Sequence, residues 1–202
     1  MTARLVLASA SPRRRQLLAL LGRPFEVRPA DVDETPWPGE ETLDYVARVA
    51  EAKAAVGAAL DPGALVVAAD TTVELDGVIF GKPVDDADAA RMLRALSGRE
   101  HRVHTHVVVA VHGEAASWGT GATVTATVRF DEIDDARIAA YVATGEPRDK
   151  AGAYAVQGAA AAFVREIHGS LTGIVGLPLA ELRELLNDAE AWLTAVCRDH
   201  QP

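Results

Sequence analysis

The sequence is poor in cysteine, with Cys197 as the only one among 202 residues. A single thiol cannot form an intrachain disulfide or a zinc site with several cysteine ligands. A membrane-spanning helix needs an apolar run of about 18 residues, and no run in this sequence is that long. The N-terminus also lacks a basic segment followed by an uninterrupted apolar segment. We therefore expect neither a membrane span nor a signal peptide, and a location in the cytoplasm.

Basic residues are scarce relative to acidic ones. There are 20 Lys and Arg against 29 Asp and Glu, which gives a formal net charge of -9. Broad binding to nucleic acid depends on many surface cations that neutralise phosphates. The charge balance therefore argues against nucleic acid as a partner, although it allows a local cationic pocket.

Length and composition predict one large globular domain over residues 1–202. Hydrophobic residues make up 49% of the chain and charged residues 24%, a balance typical of globular proteins. A boundary near residues 76–84 could divide the domain into two lobes, although no linker-like run marks it.

Hydrophobic periodicity predicts helices interleaved with strands and hairpins. This pattern is typical of the α/β class, with a mixed sheet layered between helices. Strands are expected at about 4–8, 25–27, 64–75, 76–80, 102–111, 120–130 and 163–167, and helices at about 12–21, 41–60, 85–96, 134–143 and 178–197.

Three consecutive arginines, Arg13, Arg14 and Arg15, stand at the start of helix 12–21. The N-terminal end of a helix carries partial positive charge, so cations there are unfavourable unless an anion is bound. The loop over residues 8–13 also directs main-chain N–H groups toward the same place. The arrangement predicts an anion site.

Two other segments resemble reactive motifs without matching them. Ser9 and Ser11 lack a G-x-S-x-G elbow, so we interpret them as hydrogen-bond donors and not as nucleophiles. The segment GVIFGKP, residues 77–83, has three residues between its glycines and a proline after the lysine, so it is not a P-loop. Lys82 in this segment is either a site cation or an exposed turn lysine.

Lys53 interrupts an apolar stripe of helix 41–60. A lysine at such a position must either reach an anion or pack its stem on the core and keep its ammonium in water. The stripe consists of Leu43, Val46, Val49, Ala50, Ala54 and Gly57.

Asp70 marks a change from apolar to polar along one face of strand 64–75. An ionised carboxylate at such a place must be paired, hydrogen-bonded or bound to a metal, which makes it a candidate site residue. The alternative is a carboxylate that caps a neighbouring loop. The face consists of Val66, Ala68, Asp70, Thr72, Glu74 and Asp76.

Two clusters could bind metal ions. Asp31, Asp33 and Glu34 in the segment DVDE offer the oxygen ligands that Mg²⁺ prefers, although loop acids are also common without a metal. His104 and His106 share a strand face, but no cysteine or acidic residue stands at a spacing that would complete a zinc site with them. A polar strand face therefore explains the two histidines better than zinc binding does.

Several motifs, taken in order along nearly the whole chain, resemble the Maf family of nucleotide pyrophosphatases, also called septum-formation-inhibitor-like proteins. The motifs are LASASPRRRQLL, DVDE, EAKA with Lys53, AADTTV, GKP, LSGREHRVHT, YVATGEPRDKAGAYAVQG and GLPL.

This resemblance implies both a fold and a reaction. The fold is α/β and Maf/ITPase-like, with an elongated mixed central sheet flanked by helices and two lobes around a cleft, often as a homodimer. The reaction is hydrolysis of a nucleoside triphosphate to the monophosphate and pyrophosphate with a divalent cation, Mg²⁺ or Mn²⁺. Its purpose would be to cleanse the nucleotide pool.

The resemblance also implies roles for individual residues. Asp70 matches the proton acceptor, and Arg13, Thr71 and Gln157 match positions associated with substrate choice. The matches for handling phosphate and metal are Ser9, Arg14, Glu34, Lys53 and Lys82, with Glu34 and Asp70 as the metal ligands.

The segment DKAGAYAVQG resembles the branch of the family that acts on dTTP and UTP. That branch commonly has an aromatic residue where this chain has Leu171. CTP and modified pyrimidines therefore stay open as further substrates.

Two other functions stay open at this point. The chain could be a regulatory inhibitor of cell division (septum formation) that acts through a protein or nucleic-acid partner, with the arginine triplet as an interaction patch. It could also be a phosphatase that releases orthophosphate from a sugar phosphate or a nucleotide.

Overall fold

A computed structural model describes residues 3–113 and 116–199. The strands are β1 (Leu5–Leu7), β2 (Glu26–Val27), β3 (Leu65–Leu75), β4 (Val78–Phe80), β5 (Glu100–His112), β6 (Ser117–Phe130) and β7 (Val164–His168). The helices are α1 (Pro12–Ala19), α2 (Thr42–Leu60), α3 (Asp86–Leu96), α4 (Asp135–Ala143), α5 (Leu171–Val175) and α6 (Leu179–Asp199). Short 3-10 helices cover Glu146–Asp149, Ala151–Ala153 and Ala159–Phe163.

The strands form one mixed sheet in the order β2-β1-β3-β5-β6-β7, with β4 also paired to β3. Strand β1 pairs parallel with β2 and β3, whereas β3, β5, β6 and β7 pair antiparallel. The predicted α/β class with a mixed sheet flanked by helices is confirmed.

One edge of β3 is interrupted. Strand β5 pairs with β3 from Val66 to Glu74 and so occupies the opposite edge. On the interrupted edge β1 pairs with residues 65–67 and β4 with residues 73–75. Residues 68–72, in the middle of β3, have no strand beside them on that edge within the described chain.

Two hydrophobic clusters at opposite ends of β3 and β5 form the two lobes. One contains Val73 and Val103 and packs against α3 and α4. The other contains Leu65 and Val109 and packs against α1 and α6. The lobe boundary suggested for residues 76–84 is wrong, because β3 and β5 run through both lobes and no connecting segment divides them.

Most predicted elements occur within a few residues of their expected bounds. The β3–β4 turn has positive φ at Asp76 (53°) and Gly77 (78°), as the favoured two-residue hairpin requires. Helix α5 and the 3-10 helices were not predicted, because such short segments show no helical periodicity.

Helix α6 is the longest helix, with 21 residues, and it carries charged residues along its length. Within residues 3–113 and 116–199, every helix is too short or too polar to cross a membrane.

Candidate active site

A cleft of about 1040 Å³ lies between the lobes at the interrupted edge of β3. Its walls come from the loop after β1, the loop before α2, the middle of β3, the loop after β4 and the segment 148–157. The residues to which the resemblance assigns roles all line this cleft: Ser9, Arg13, Arg14, Glu34, Lys53, Asp70, Thr71, Lys82 and Gln157.

Lys53 and Asp70 form the buried centre of the cleft. Helix α2 packs along β3, so that the stripe containing Lys53 faces the strand. Lys53 Nζ donates to Asp70 Oδ1 over 2.8 Å and lies 2.6 Å from Glu34 Oε1. The ammonium therefore reaches two carboxylates and not solvent, and Asp70 is paired with a cation.

Glu34 connects the loop before α2 to two lysines. Its Oε1 contacts Lys53, and its Oε2 accepts from Lys82 Nζ over 3.1 Å. Burial alone would raise the pKa of Glu34, but hydrogen bonds and charges from the two lysines outweigh it and hold the pKa below its ordinary value. Asp31 and Asp33, the other acids of this loop, lie outside the cleft lining.

Tyr45 supports this loop, and sequence reasoning missed it. Its hydroxyl donates to the main-chain oxygen of Glu34 over 3.0 Å. Burial, together with the negative charges of Asp70 and Glu34, raises the pKa of Tyr45, so the phenol stays protonated. The available signal was its position about two helical turns before Lys53 on the same face of α2.

Arg14 is held by three groups at the start of α1. Its Nε donates to the oxygen of Gly176 over 2.9 Å, its Nη1 to Ser9 Oγ over 3.3 Å and its Nη2 to Thr71 Oγ1 over 3.2 Å. Desolvation lowers the pKa of Arg14, and the Asp70 and Glu34 carboxylates oppose that effect. The guanidinium is therefore a cation of fixed orientation.

The two serines accept hydrogen bonds in this structure, and each hydroxyl keeps a hydrogen that it can donate to a ligand, so their role as donors stays a prediction. Ser9 Oγ accepts from Arg14 and from the main-chain N–H of Ser11 over 3.2 Å. Ser11 Oγ accepts from the main-chain N–H of Arg14 over 3.4 Å as the N-cap of α1. The reason is local, since the first N–H groups of a helix lack intrahelical acceptors.

The arginine triplet does not act as a unit. Arg13 lines the cleft, and its Nη1 lies 3.7 Å from Asp149 Oδ2 on the facing wall. Arg15 is exposed and lies outside the cleft lining. Only the first two arginines are therefore placed to meet a ligand in the cleft.

Thr71 and Gln157 both line the cleft, and the Thr71 side chain points to the opposite face of β3 from Asp70. Thr71 Oγ1 lies 2.9 Å from Thr105 Oγ1, and Thr105 donates to the oxygen of Gly173 over 2.8 Å. Gln157 is exposed in a tight turn. The turn is fixed by Glu146, whose Oε2 accepts from the main-chain N–H of Ala159 over 3.1 Å.

His104 and His106 lie on the same sheet face as Asp70, and each bonds to a threonine of β6. His104 Nδ1 lies 2.9 Å from Thr125 Oγ1, and His106 Nδ1 lies 2.7 Å from Thr123 Oγ1. His104 also contacts Glu74. These contacts are those of a polar strand face.

Asp70 and Glu34 are the carboxylates best placed to hold a metal ion. Both contact the Lys53 ammonium, so their oxygens converge. In the described ranges, 3–113 and 116–199, no three His, Cys, Asp or Glu side chains are grouped for metal binding. Two carboxylates fit Mg²⁺ or Mn²⁺, which accept oxygen ligands, keep bound water and complete their coordination with substrate phosphates.

Comparison with known proteins places this cleft in a family. The family model described as "Maf-like protein" matches residues 4–189. The chain belongs to the Maf family. The matched region contains every cleft residue described above.

Relatives of this Maf chain are named dTTP/UTP pyrophosphatase. A protein of Anaeromyxobacter dehalogenans is 55% identical over 189 residues, which cover 94% of this chain and 95% of the relative. A protein of Aromatoleum aromaticum is 50% identical over 198 residues, which cover 91% and 94%.

Among solved structures, the Staphylococcus aureus Ham1 protein shares 19% identity with this Maf chain. The match has a TM-score of 0.40 and covers 63% of this chain and 71% of that chain. This partial likeness is too low to define a common fold.

Proposed function

We propose that this Maf-family chain hydrolyses nucleoside triphosphates, with dTTP and UTP as preferred substrates, to the monophosphate and pyrophosphate. The observation that carries the proposal is the convergence of cations and acids on one cleft. The cations are Arg13, Arg14, Lys53 and Lys82, and the acids are Glu34 and Asp70.

The lysines and Arg13 are suited to bind the triphosphate. In the structure each contacts a carboxylate of the cleft: Lys53 with Glu34 and Asp70, Lys82 with Glu34, and Arg13 with Asp149. Phosphate oxygens would replace Glu34 as the partner of Lys82 and Asp149 as the partner of Arg13, and would add to the contact that Lys53 makes with Asp70. Each hydrogen bond to a charged group contributes about 1.5–3 kcal/mol, so a few such contacts can hold a polyphosphate.

Asp70 is the proposed proton acceptor. Lys53 orients its carboxylate through Oδ1. A water molecule beside the carboxylate would lose a proton to Asp70 while its oxygen bonds to the α-phosphorus. The bond from the α-phosphorus to the bridging oxygen breaks, and pyrophosphate leaves while the phosphate-binding cations stabilise its charge.

Glu34 and Asp70 are the proposed metal ligands. Mg²⁺ or Mn²⁺ held there with the phosphates would neutralise charge on the substrate. Because the protein offers few ligands, we expect weak metal binding without nucleotide and tighter binding with it. Titration of Mn²⁺ into the protein, with and without a non-hydrolysable UTP analogue, measures the difference. Equal affinity in both titrations would contradict this assignment.

The preference for dTTP and UTP is supported by the names of the relatives and by the groups near Thr71. The Gln157 amide can donate to and accept from a pyrimidine edge, and Arg13 stands at the same end of the cleft as the segment 148–157. Leu171, which stands where the dTTP/UTP branch commonly has an aromatic residue, is exposed and lies outside the cleft lining. This departure therefore does not change the cleft walls described above.

The remaining expectations belong to this proposal as well. We propose that residues 1–202 act as one domain in the cytoplasm, that the chain forms a homodimer, and that nucleic acid and membrane are not its partners. Light scattering on the purified protein measures the oligomeric state. A gel shift at physiological salt tests nucleic acid.

Product identity is the decisive experiment for the activity. Wild-type protein with Mg²⁺ or Mn²⁺ should release pyrophosphate from dTTP and UTP. Asp70→Asn should lower kcat by about 10²- to 10⁴-fold, the usual contribution of a general base. The matched control is Asp76→Asn in the exposed β3–β4 turn, which should retain activity. Release of orthophosphate, or full turnover by Asp70→Asn, would refute the proposal.

A further inference from the structure

Strand β3 divides the cleft into two parts of different chemistry. Successive side chains of a strand point to opposite faces, so Asp70 and Thr71 face different parts. The part around Asp70 contains the lysines and Glu34. The part around Thr71, which we call the apolar half, is lined by Val73, Val103, Tyr154, Val156 and Ile174.

The apolar half suits the neutral portion of a nucleotide. Ligand sites are mostly apolar, with a few polar groups that fix orientation. Since the charged part of the cleft is suited to the phosphates, the base of a bound nucleotide is left to the apolar half. This placement rests on the proposed function.

Only one assignment of donors and acceptors is consistent with the hydrogen bonds around Thr71. Thr105 has a single hydroxyl hydrogen and donates it to the oxygen of Gly173, which can only accept. The contact of 2.9 Å between the two threonine oxygens therefore requires Thr71 to donate to Thr105. Arg14 Nη2 donates to Thr71 Oγ1 and cannot accept.

Thr71 consequently has no hydrogen left to give to a ligand. Its oxygen keeps one lone pair, so it can only accept. Uracil and thymine carry a hydrogen on N3 and can donate to such an oxygen. Placed with N3 toward Thr71 in the same way, cytosine would turn the lone pair on its N3 toward the lone pair of Thr71.

We propose that Thr105 is a positioning residue that fixes the hydrogen-bond polarity of Thr71, so that the cleft selects uracil and thymine over cytosine. Thr105 is fully buried, with 0% exposure, and lies outside the cleft lining. Its effect on the choice of base is transmitted through the Thr71 hydroxyl. Selectivity then depends on a residue behind the wall of the cleft.

The test is Thr105→Val, assayed for pyrophosphate release from UTP and CTP. Valine removes the acceptor, so the Thr71 hydroxyl is free to rotate and donate to cytosine N3. The ratio of kcat/KM for UTP to that for CTP should fall by about tenfold or more, because an unmatched polar pair is what rejects the wrong base. Thr105→Ser keeps the hydroxyl and should keep the ratio.

Thr125→Val is the matched control. It removes a hydroxyl from β6 that bonds to His104 on the opposite face of the sheet, so it should leave the ratio unchanged. General damage to the sheet would lower kcat/KM for both nucleotides together. A change of polarity at Thr71, in contrast, changes their ratio.

A second variant covers the case in which Thr105→Val does not fold. Thr71→Val removes the acceptor itself and should also lower the ratio. An unchanged ratio in a folded Thr105→Val protein, or in Thr71→Val, would overturn the inference. The proposed function fails differently, because wild-type protein would then release no pyrophosphate from UTP.

Discussion

Lys53 Nζ donates to Asp70 Oδ1 over 2.8 Å, and the side chains of both residues are more than nine-tenths buried. Lys53 also contacts Glu34, so one ammonium compensates two carboxylates. A buried ion pair adds little stability relative to apolar residues, but removal of one partner leaves an uncompensated charge. The pair therefore makes the fold depend on a site residue.

Replacement of this ammonium should destabilise the protein. In Lys53→Met the Asp70 carboxylate loses its partner, and we expect a loss of about 3 kcal/mol in the free energy of unfolding. Urea unfolding of the nucleotide-free protein measures it.

The double variant Lys53→Met/Asp70→Asn is the control for this prediction. It removes both charges, so most of the lost stability should return while kcat stays as low as in Asp70→Asn. Equal stability of Lys53→Met and wild type would show that the pair does not compensate a buried charge.

The sequence revealed those site residues that violate a local pattern. Lys53 interrupts an apolar stripe and Asp70 changes the character of a strand face, so each stands out without structural information. Thr105 does not, because a threonine is ordinary on a strand. Its importance depends on contacts with Thr71 and Gly173, which no local pattern encodes.

The same distinction applies to the fold. The Asp76–Gly77 turn is local chemistry and was predicted, whereas the interrupted edge of β3 depends on which distant strands pair with it. The two lobes share β3 and β5, so no segment of sequence separates them. Strand order and lobe boundaries are set by tertiary packing, which periodicity does not reveal.

Lys82 should control the ionisation of Glu34. It is one of two lysines that hold the pKa of Glu34 below its ordinary value, so Lys82→Met should raise that pKa. NMR titration of the Glu34 carboxyl measures it directly. If ionised Glu34 is needed for turnover, the acidic limb of the kcat/KM profile should move to higher pH.

Lys82→Arg keeps the positive charge and serves as the control for this titration. It should keep the pKa of Glu34 close to the wild-type value. An unchanged pKa in Lys82→Met would show that Lys53 alone determines the ionisation of Glu34.

His101 should make the fold sensitive to acid. Burial lowers the pKa of His101 from its ordinary value of 6.5 to about 4, and its Nε2 lies 2.8 Å from the Tyr154 hydroxyl. Between these two pH values the unfolded chain binds a proton that the native protein does not, so stability falls as pH falls through this window. The loss should amount to roughly 3 kcal/mol.

Comparison with His101→Gln isolates this contribution, because the carboxylates titrate in both proteins. Glutamine can bond to Tyr154 but does not titrate. Measured by urea unfolding, the free energy of unfolding of the wild type should fall relative to that of His101→Gln as pH falls from about 6.5 to about 4. A constant difference would show that His101 does not resist protonation.

Gly57 links the packing of α2 to the site. An added Cβ would lie 2.8 Å from Val66 Cγ1 and 2.9 Å from Ala8 Cβ, closer than real contacts allow. Gly57→Ala should therefore destabilise the protein by about 1–3 kcal/mol, although alanine is the better helix former by about 1 kcal/mol. Thermal or urea unfolding shows whether the variant is less or more stable than the wild type.

Ala55→Gly, at an exposed position of the same helix, is the reference for this experiment. It should cost about 1 kcal/mol through helix propensity alone and leave kcat/KM unchanged. Gly57 lies one helical turn after Lys53 on the same face, so a shift of α2 that relieves these contacts should also move the ammonium relative to Asp70. Gly57→Ala should lower kcat/KM for UTP, and a stable, fully active variant would contradict the close packing of α2 on β3.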